Sequence, residues 1–385
     1  MDRRQFIMVG GLAASAPTLA GAGSGLAAPI PGVRLSQRVD FVRDGLGLDP
    51  REYAALLGEV VADRGFTTDY YSNGGAVEQL ERQFAQLLGK DAAMFVPTGT
   101  LANHLAVRTL AGASRRVLVQ AESHLYNDSG DGAQALSGLN LVPLAEGRST
   151  ITLADVQPWV ERSAGGRVPL KVGAISIENP VRRRDHERVD HAELERVCRY
   201  ARDNRIGLHL DGARMFNLPQ HSGVSVRDYA AMFDTVYVSL WKHFNAASGA
   251  ILAGDASFID GLFHVRRMFG GSLPYAWPQV AVAAQYAGRY EADYAQSWEV
   301  CDRLIELLQA DGRFKVRRLA NGTSRFYLAA PTVPAELLVS RLKAKEVLLA
   351  QRASGDSEIP MQVNPTLLRA SPETLARKFI QSLDA

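Results

Sequence analysis

The chain has 385 residues, 46% of them hydrophobic, which allows one large or two moderate domains with a sizeable core. Lys and Arg total 43 against 41 Asp and Glu, for a formal net charge of +2, so charge gives no case for a nucleic-acid partner. Cys198 and Cys301 are too few for a disulfide framework and lack zinc-ligand spacing; no metal site is expected, and they read as ordinary thiols unless an oxidising compartment pairs them.

Met1-Asp-Arg-Arg-Gln-Phe-Ile-Met is followed by an uncharged Ala/Gly-rich stretch that runs to Gly32. Arg3-Arg4 beside Phe6-Ile7 has the form of a twin-arginine export signal over 1–28, with small-residue cleavage options near Ala22 and Ala28. A membrane anchor is the competing reading, but the glycines and prolines between Gly10 and Pro31 make a poor spanning helix, so no stable anchor is expected. The predicted location is the periplasm. The twin-arginine route carries folded proteins, which suits an enzyme that takes up a cytoplasmic cofactor before leaving.

Residues 33–90 read as helical and irregular, with an amphipathic segment from Ala76 to Gly89. A regular alternation follows: a strand at Ala92–Pro97, a helix at Thr98–Ala111, and a strand at Arg116–Gln120. Next come a Gly-rich helical stretch from Tyr126 to Ser137 and a strand at Leu141–Leu144. Later strands are expected at Val172–Ile177, Ile206–Asp211, Thr235–Leu240 and Ala250–Gly254. This spacing predicts an α/β fold with a mostly parallel central sheet flanked by helices. Arg182-Arg-Arg-Asp-His-Glu-Arg188 is a charge run that reads most simply as a solvated loop. From about Ser272 the pattern changes to one long helix, Gln279 to Ala310, and then a smaller α+β unit. The expected organisation is a large domain with an N-terminal arm over 33–271, then a linking helix and small C-terminal domain over 272–385.

Asp211, in L-H-L-D-G-A-R, and Lys242, in V-Y-V-S-L-W-K, each close an apolar run that reads as a buried parallel strand. Open α/β sheets bind their ligands at such strand ends. An amine and a carboxylate placed there suit pyridoxal 5′-phosphate (PLP). The lysine holds the aldehyde as a Schiff base, and the acid keeps the pyridinium nitrogen protonated so that the ring acts as an electron sink. In Phe95-Val-Pro-Thr-Gly-Thr-Leu-Ala-Asn103, Thr98 can cap the helix, Gly99 lets the backbone approach an anion, and Thr100 adds a hydroxyl to a phosphate cradle. Ser239, three residues before Lys242, is a candidate further phosphate contact. His124 lies just past a strand, where its ring could stack on the pyridine face or stand as an ordinary loop histidine. Asn179, after Glu178, could bond the cofactor's 3-oxygen. Arg214 either reaches a phosphate or a substrate carboxylate, or pairs locally.

From about Tyr71 to Gly271 the chain resembles the threonine aldolase and β-eliminating lyase family of fold-type-I PLP enzymes. The resemblance rests on P-T-G-T-L-A-N at 97–103, S-I-E-N at 176–179, H-L-D-G-A-R-M-F-N at 209–217, V-S-L-W-K at 238–242 and S-G-A-I-L-A-G at 248–254. It implies that Lys242 is the Schiff-base lysine, Asp211 the pyridinium partner, Gly99 and Thr100 phosphate ligands, and His124 the stacking ring. It also implies that Arg214 faces cofactor or substrate. Arg266, in R-R-M-F-G-G at 266–271, matches a family arginine that reaches a neighbouring subunit's site, so a homodimer or homotetramer is implied. The family's S-D-T motif near the start of the catalytic region finds no match. Trp241 and His243 stand where the family has serine and glycine, and Pro180-Val181 replaces a histidine. Glu358–Val363 lies where the family's carboxylate-gripping arginine is expected.

The expected reaction is retro-aldol cleavage of a β-hydroxy-α-amino acid to glycine and an aldehyde, with His124 as the base and Asp211 and Lys242 serving the cofactor. β-Elimination or racemisation on the same site is the alternative. A non-catalytic carrier of PLP is a third reading, against which the Asp211–Lys242 pair argues, because binding alone needs no electron sink.

Overall fold

In the computed structural model of the chain, residues 36–351 and 357–384 are described. The predicted export signal over 1–28 lies outside them. The strands are β1 (Val39–Asp40), β2 (Ala92–Val96), β3 (Arg116–Gln120), β4 (Asn140–Leu144), β5 (Val172–Glu178) and β6 (Gly207–Asp211). They continue with β7 (Thr235–Ser239), β8 (Ala250–Gly254), β9 (Lys315–Arg318), β10 (Arg325–Ala329), β11 (Val347–Leu348) and β12 (Ile359–Gln362).

Seven strands form the central sheet in the order β2-β8-β7-β6-β5-β3-β4. The pairs among β3 to β7 are parallel, and β8 runs against both of its neighbours. The mostly parallel sheet expected from the sequence is therefore present, with one reversed strand. Only the loop 240–249 joins β7 to β8, too short for the helical crossover a parallel return requires. Elsewhere helices make the crossovers, and three of them are started by a side-chain cap: Thr98 before Gly99–Ala111, a Thr152–Asp155 capping box before Leu153–Ala164, and Asp190 before His191–Asp203. The last of these buries Leu194, Val197, Cys198 and Ala201, the one-face spacing of an amphipathic helix lying on a sheet.

Two sequence expectations change. The helical stretch Tyr126–Ser137 is two short helices, His124–Asn127 and Gly132–Ser137, broken where Gly130 and Asp131 take φ of 58° and 53°. The single helix Gln279–Ala310 is likewise two, Trp277–Ala287 and Tyr290–Asp311, parted at Gly288. Asp69 fixes the start of the first by accepting from Ala276 N and Trp277 N at 2.9 and 2.8 Å.

The C-terminal unit is α+β, as the sequence predicts, with an antiparallel sheet in the order β12-β10-β9 and helices Ala335–Ala344 and Pro372–Asp384. The boundary near residue 33 needs correcting. β1 pairs in parallel with β11, and the Phe41 ring meets Phe379 edge-on at 6.1 Å, so the start of the N-terminal arm packs with the C-terminal unit. That docking carries Asp44 to the site.

Candidate active site

β5, β6 and β7 end side by side, and Glu178, Asp211 and Tyr237 from these strands share a cavity of about 230 Å³ with the start of the Gly99–Ala111 helix. Of the residues singled out from sequence, Thr98, Gly99, Thr100, His124, Asp211, Arg214 and Lys242 line it. Asn179, Ser239 and Arg266 do not.

Lys242 is 9% exposed, and burial together with the Arg214 charge brings its amine down to about 8. Asp211 Oδ2 accepts from Asn103 Nδ2 at 2.6 Å and Oδ1 from Ala213 N at 3.2 Å. His124 opens its short helix and donates its backbone N–H to Glu178 Oε2 at 2.6 Å; burial holds its imidazole below the ordinary value, so the ring is neutral near pH 7.

Arg214 is buried and makes a bidentate pair with Asp44, Nε–Oδ1 at 2.7 Å and Nη2–Oδ2 at 2.9 Å. The local pairing left open by the sequence is therefore the arrangement found, through a residue far away in the chain. Gln362 Nε2 donates to the same carboxylate at 2.6 Å, which places the Glu358–Val363 segment beside the site with a neutral amide.

Three expectations are corrected. Asn179 is fully buried and its Oδ1 accepts from Val189 N at 3.0 Å, so the amide braces the loop after β5. Ser239 is fully buried at the end of β7, with its hydroxyl beside the Tyr237 phenol. Arg266 is also fully buried within its own protomer, where Nη1 donates to Phe95 O at 2.7 Å. The solvated loop 182–188 is a correction as well: Arg182 lines the cavity, His186 is buried, and Val181 bridges Glu187.

Sequence reasoning missed Asp44, Asn103, Glu178, Tyr237 and Ser248 as site residues. Glu178 lies opposite Asp211 in the sheet register. Burial and the Asp211 charge push its carboxyl up to about 7, although both of its oxygens accept backbone N–H bonds, from His124 and Arg182. Period-two alternation could have found Tyr237, which precedes Ser239 on the same face of β7. Nothing local marks Asp44, because the arm reaches the site only through tertiary packing.

PLP fits this donor set. A Cβ on Gly99 would fall 1.9 Å from the Tyr237 hydroxyl, so the backbone there is cut to a shape that only glycine allows. The N–H groups of Gly99 and Thr100 have no partner within their helix and open onto the cavity, an arrangement suited to a phosphate. A buried amine, Lys242, and a buried carboxyl group, Asp211, both line the cavity.

The sheet order, the strand-end cavity and the Asp211–Lys242 pair define a fold-type-I PLP enzyme. The family model for the β-eliminating lyases matches residues 62–336, and the chain belongs to that family; its cofactor is PLP. A low-specificity L-threonine aldolase of Eremothecium gossypii is 29% identical over 64% of this chain and 60% of its own length. The alanine racemase TOXG of Cochliobolus carbonum is 27% identical over 62% of this chain and 60% of its own. The chain thus matches about three-fifths of those relatives. A solved structure from Exiguobacterium, described as a candidate aromatic amino acid β-eliminating lyase/threonine aldolase, shares the fold with a TM-score of 0.75, covering 90% of this chain and 98% of that one at 23% identity.

Proposed function

We propose that this PLP-dependent lyase cleaves a β-hydroxy-α-amino acid between Cα and Cβ, releasing glycine and an aldehyde. The observation that supports this reading is a neutral histidine, His124, on the same wall as Lys242 and Asp211. A neutral imidazole can accept the substrate's β-hydroxyl proton, directly or through one water. PLP, when bound, supplies the sink for the electron pair released as the Cα–Cβ bond breaks. Asp211 holds a proton at the ring nitrogen, and Lys242 returns one to Cα. Thr98, Gly99 and Thr100 hold the phosphate. Arg214 keeps N–H donors beyond the two that Asp44 takes up, and these can meet the substrate carboxylate.

The test is a product screen of the purified protein with threonine, allo-threonine, serine and phenylserine. Glycine and aldehyde in equal amounts support the reading; a keto acid with ammonia, or inversion at Cα, overturns it. Racemisation is the second reading. An amine near neutrality on Lys242 can both take and return a proton at Cα, and a racemase is among the chain's relatives.

A further inference from the structure

Behind Asp211 lies a polar chain that touches no part of the cavity wall except through that carboxylate. Thr235 opens β7, His209 sits two residues before Asp211 on the same face of β6, and Asn103 comes down from the Gly99–Ala111 helix. All three are fully buried. Thr235 Oγ1 is 2.9 Å from His209 Nδ1, His209 Nε2 is 2.8 Å from Asn103 Oδ1, and Asn103 Nδ2 is 2.6 Å from Asp211 Oδ2.

The direction of every bond follows from its end. A carboxylate only accepts, so Asn103 must turn its NH2 to Asp211 and its carbonyl to His209. The reverse flip would set two acceptors against each other at both contacts. His209 Nε2 must then carry the proton. Burial brings the imidazole down to about 4, so the ring is neutral, Nδ1 is bare, and the Thr235 hydroxyl donates to it. Three hydrogen bonds in series thus point their donors at one carboxylate oxygen, each polarising the next.

We propose that Asn103 and His209 are positioning residues that keep Asp211 ionised and aimed, and so decide that the shared proton rests on the cofactor's ring nitrogen. This rests on the PLP reading of the site. The task is not trivial at this position. Glu178 on β5 faces Asp211 with like charge, and Tyr237 on β7 brings no cation. Arg214 is paired with Asp44, and Lys242 and the neutral His124 complete the ionisable surroundings. Without the amide, the proton would shift toward the carboxylate, leaving a neutral acid beside a neutral pyridine and a weaker sink.

The experiment uses the full enzyme reconstituted with PLP carrying 15N at the ring nitrogen. NMR then reports at pH 8 whether that nitrogen is pyridinium or pyridine. In the wild type the resonance should stand at the pyridinium position. In Asn103→Leu it should move toward the pyridine position, the proton partition shifting about tenfold or more toward Asp211, as expected for one lost charge-assisted bond. His209→Leu should move it in the same direction by less. His209→Gln, which keeps a donor for Asn103 Oδ1, should restore the wild-type position. If Asn103→Leu does not hold PLP, the two His209 variants decide the matter alone. A resonance that stays at the wild-type position in the leucine variants overturns the proposal, as does a neutral pyridine in the wild type. Failure of the PLP reading shows separately, as a wild-type chain in which borohydride fixes no PLP to Lys242.

Discussion

The side chains of Arg214 and Asp44 are only 8% and 9% exposed, so each depends on the other for its charge. Burial alone would raise the Asp44 carboxyl, but the Arg214 charge and its two hydrogen bonds outweigh that and hold it well below the usual range. A depressed carboxyl adds stability above its unfolded value, about 3.9, and loses it as the pH falls further. Asp44→Asn keeps the shape and strands the guanidinium, a change that typically costs about 3–5 kcal/mol. Urea unfolding at a series of pH values should show that loss at pH 7, together with a shallower fall in stability below about pH 4. Equal stability at pH 7 would mean that the pair is not formed. Lys242 gives a second prediction. Its amine sits at about 8, so roughly a tenth of it is in the neutral form that attacks an aldehyde at pH 7, and that form dominates above about pH 8. The rate at which the apoprotein captures PLP should therefore rise through about pH 8 and level off above it. Stopped-flow absorbance checks this; a rise centred near the value of a free lysine, about 10.4, would contradict the burial argument.

Between helix and sheet, the close approach of Gly99 to Tyr237 sets the height of the phosphate cradle over β7. Gly99→Ala has to push either the helix start or the phenol aside, so PLP affinity should fall by about tenfold or more, the effect of losing one or two charge-assisted bonds. Replacing the phenol as well, in Gly99→Ala/Tyr237→Val, should recover part of the affinity, and a fluorescence titration of the apoprotein measures both. The strands that carry this site were readable because each is a short apolar run ending in a polar residue: Asp211 and Lys242 follow such runs, and the observed strands Gly207–Asp211 and Thr235–Ser239 agree. The connections were less readable. A helical composition runs through Gly130-Asp131 and through Gly288, and only backbone geometry shows that the helices stop there. Side-chain direction was the weakest inference. Spacing placed Asn179 and Ser239 beside the cofactor, but neither lines the cavity: Asn179 braces the loop after β5, and Ser239 is fully buried beside the Tyr237 phenol.

Taken whole, the molecule closes its site with segments from both ends of the chain. The arm bearing Asp44 pairs with β11, and Gln362 at the end of β12 reaches the same carboxylate. No local pattern could show this, because the contacts join residues hundreds of positions apart. Cofactor uptake therefore requires an almost complete fold. Cys198 and Cys301 are both buried and unpaired, so nothing in the described residues calls for an oxidising compartment during folding. No helix among those residues is long and apolar enough to cross a membrane. We propose that the chain folds and takes up PLP in the cytoplasm and is then exported through the twin-arginine signal at its start. The signal reads paired guanidinium groups, planar forks that lysine does not reproduce. Replacing Arg3-Arg4 by two lysines should leave active, PLP-loaded protein in the cytoplasm, with stability and spectrum unchanged. Fractionation of cells carrying each version, with PLP absorbance read in both compartments, is the measurement. Periplasmic delivery unaffected by the change, or an exported chain without cofactor, would show instead that the chain leaves unfolded by another route.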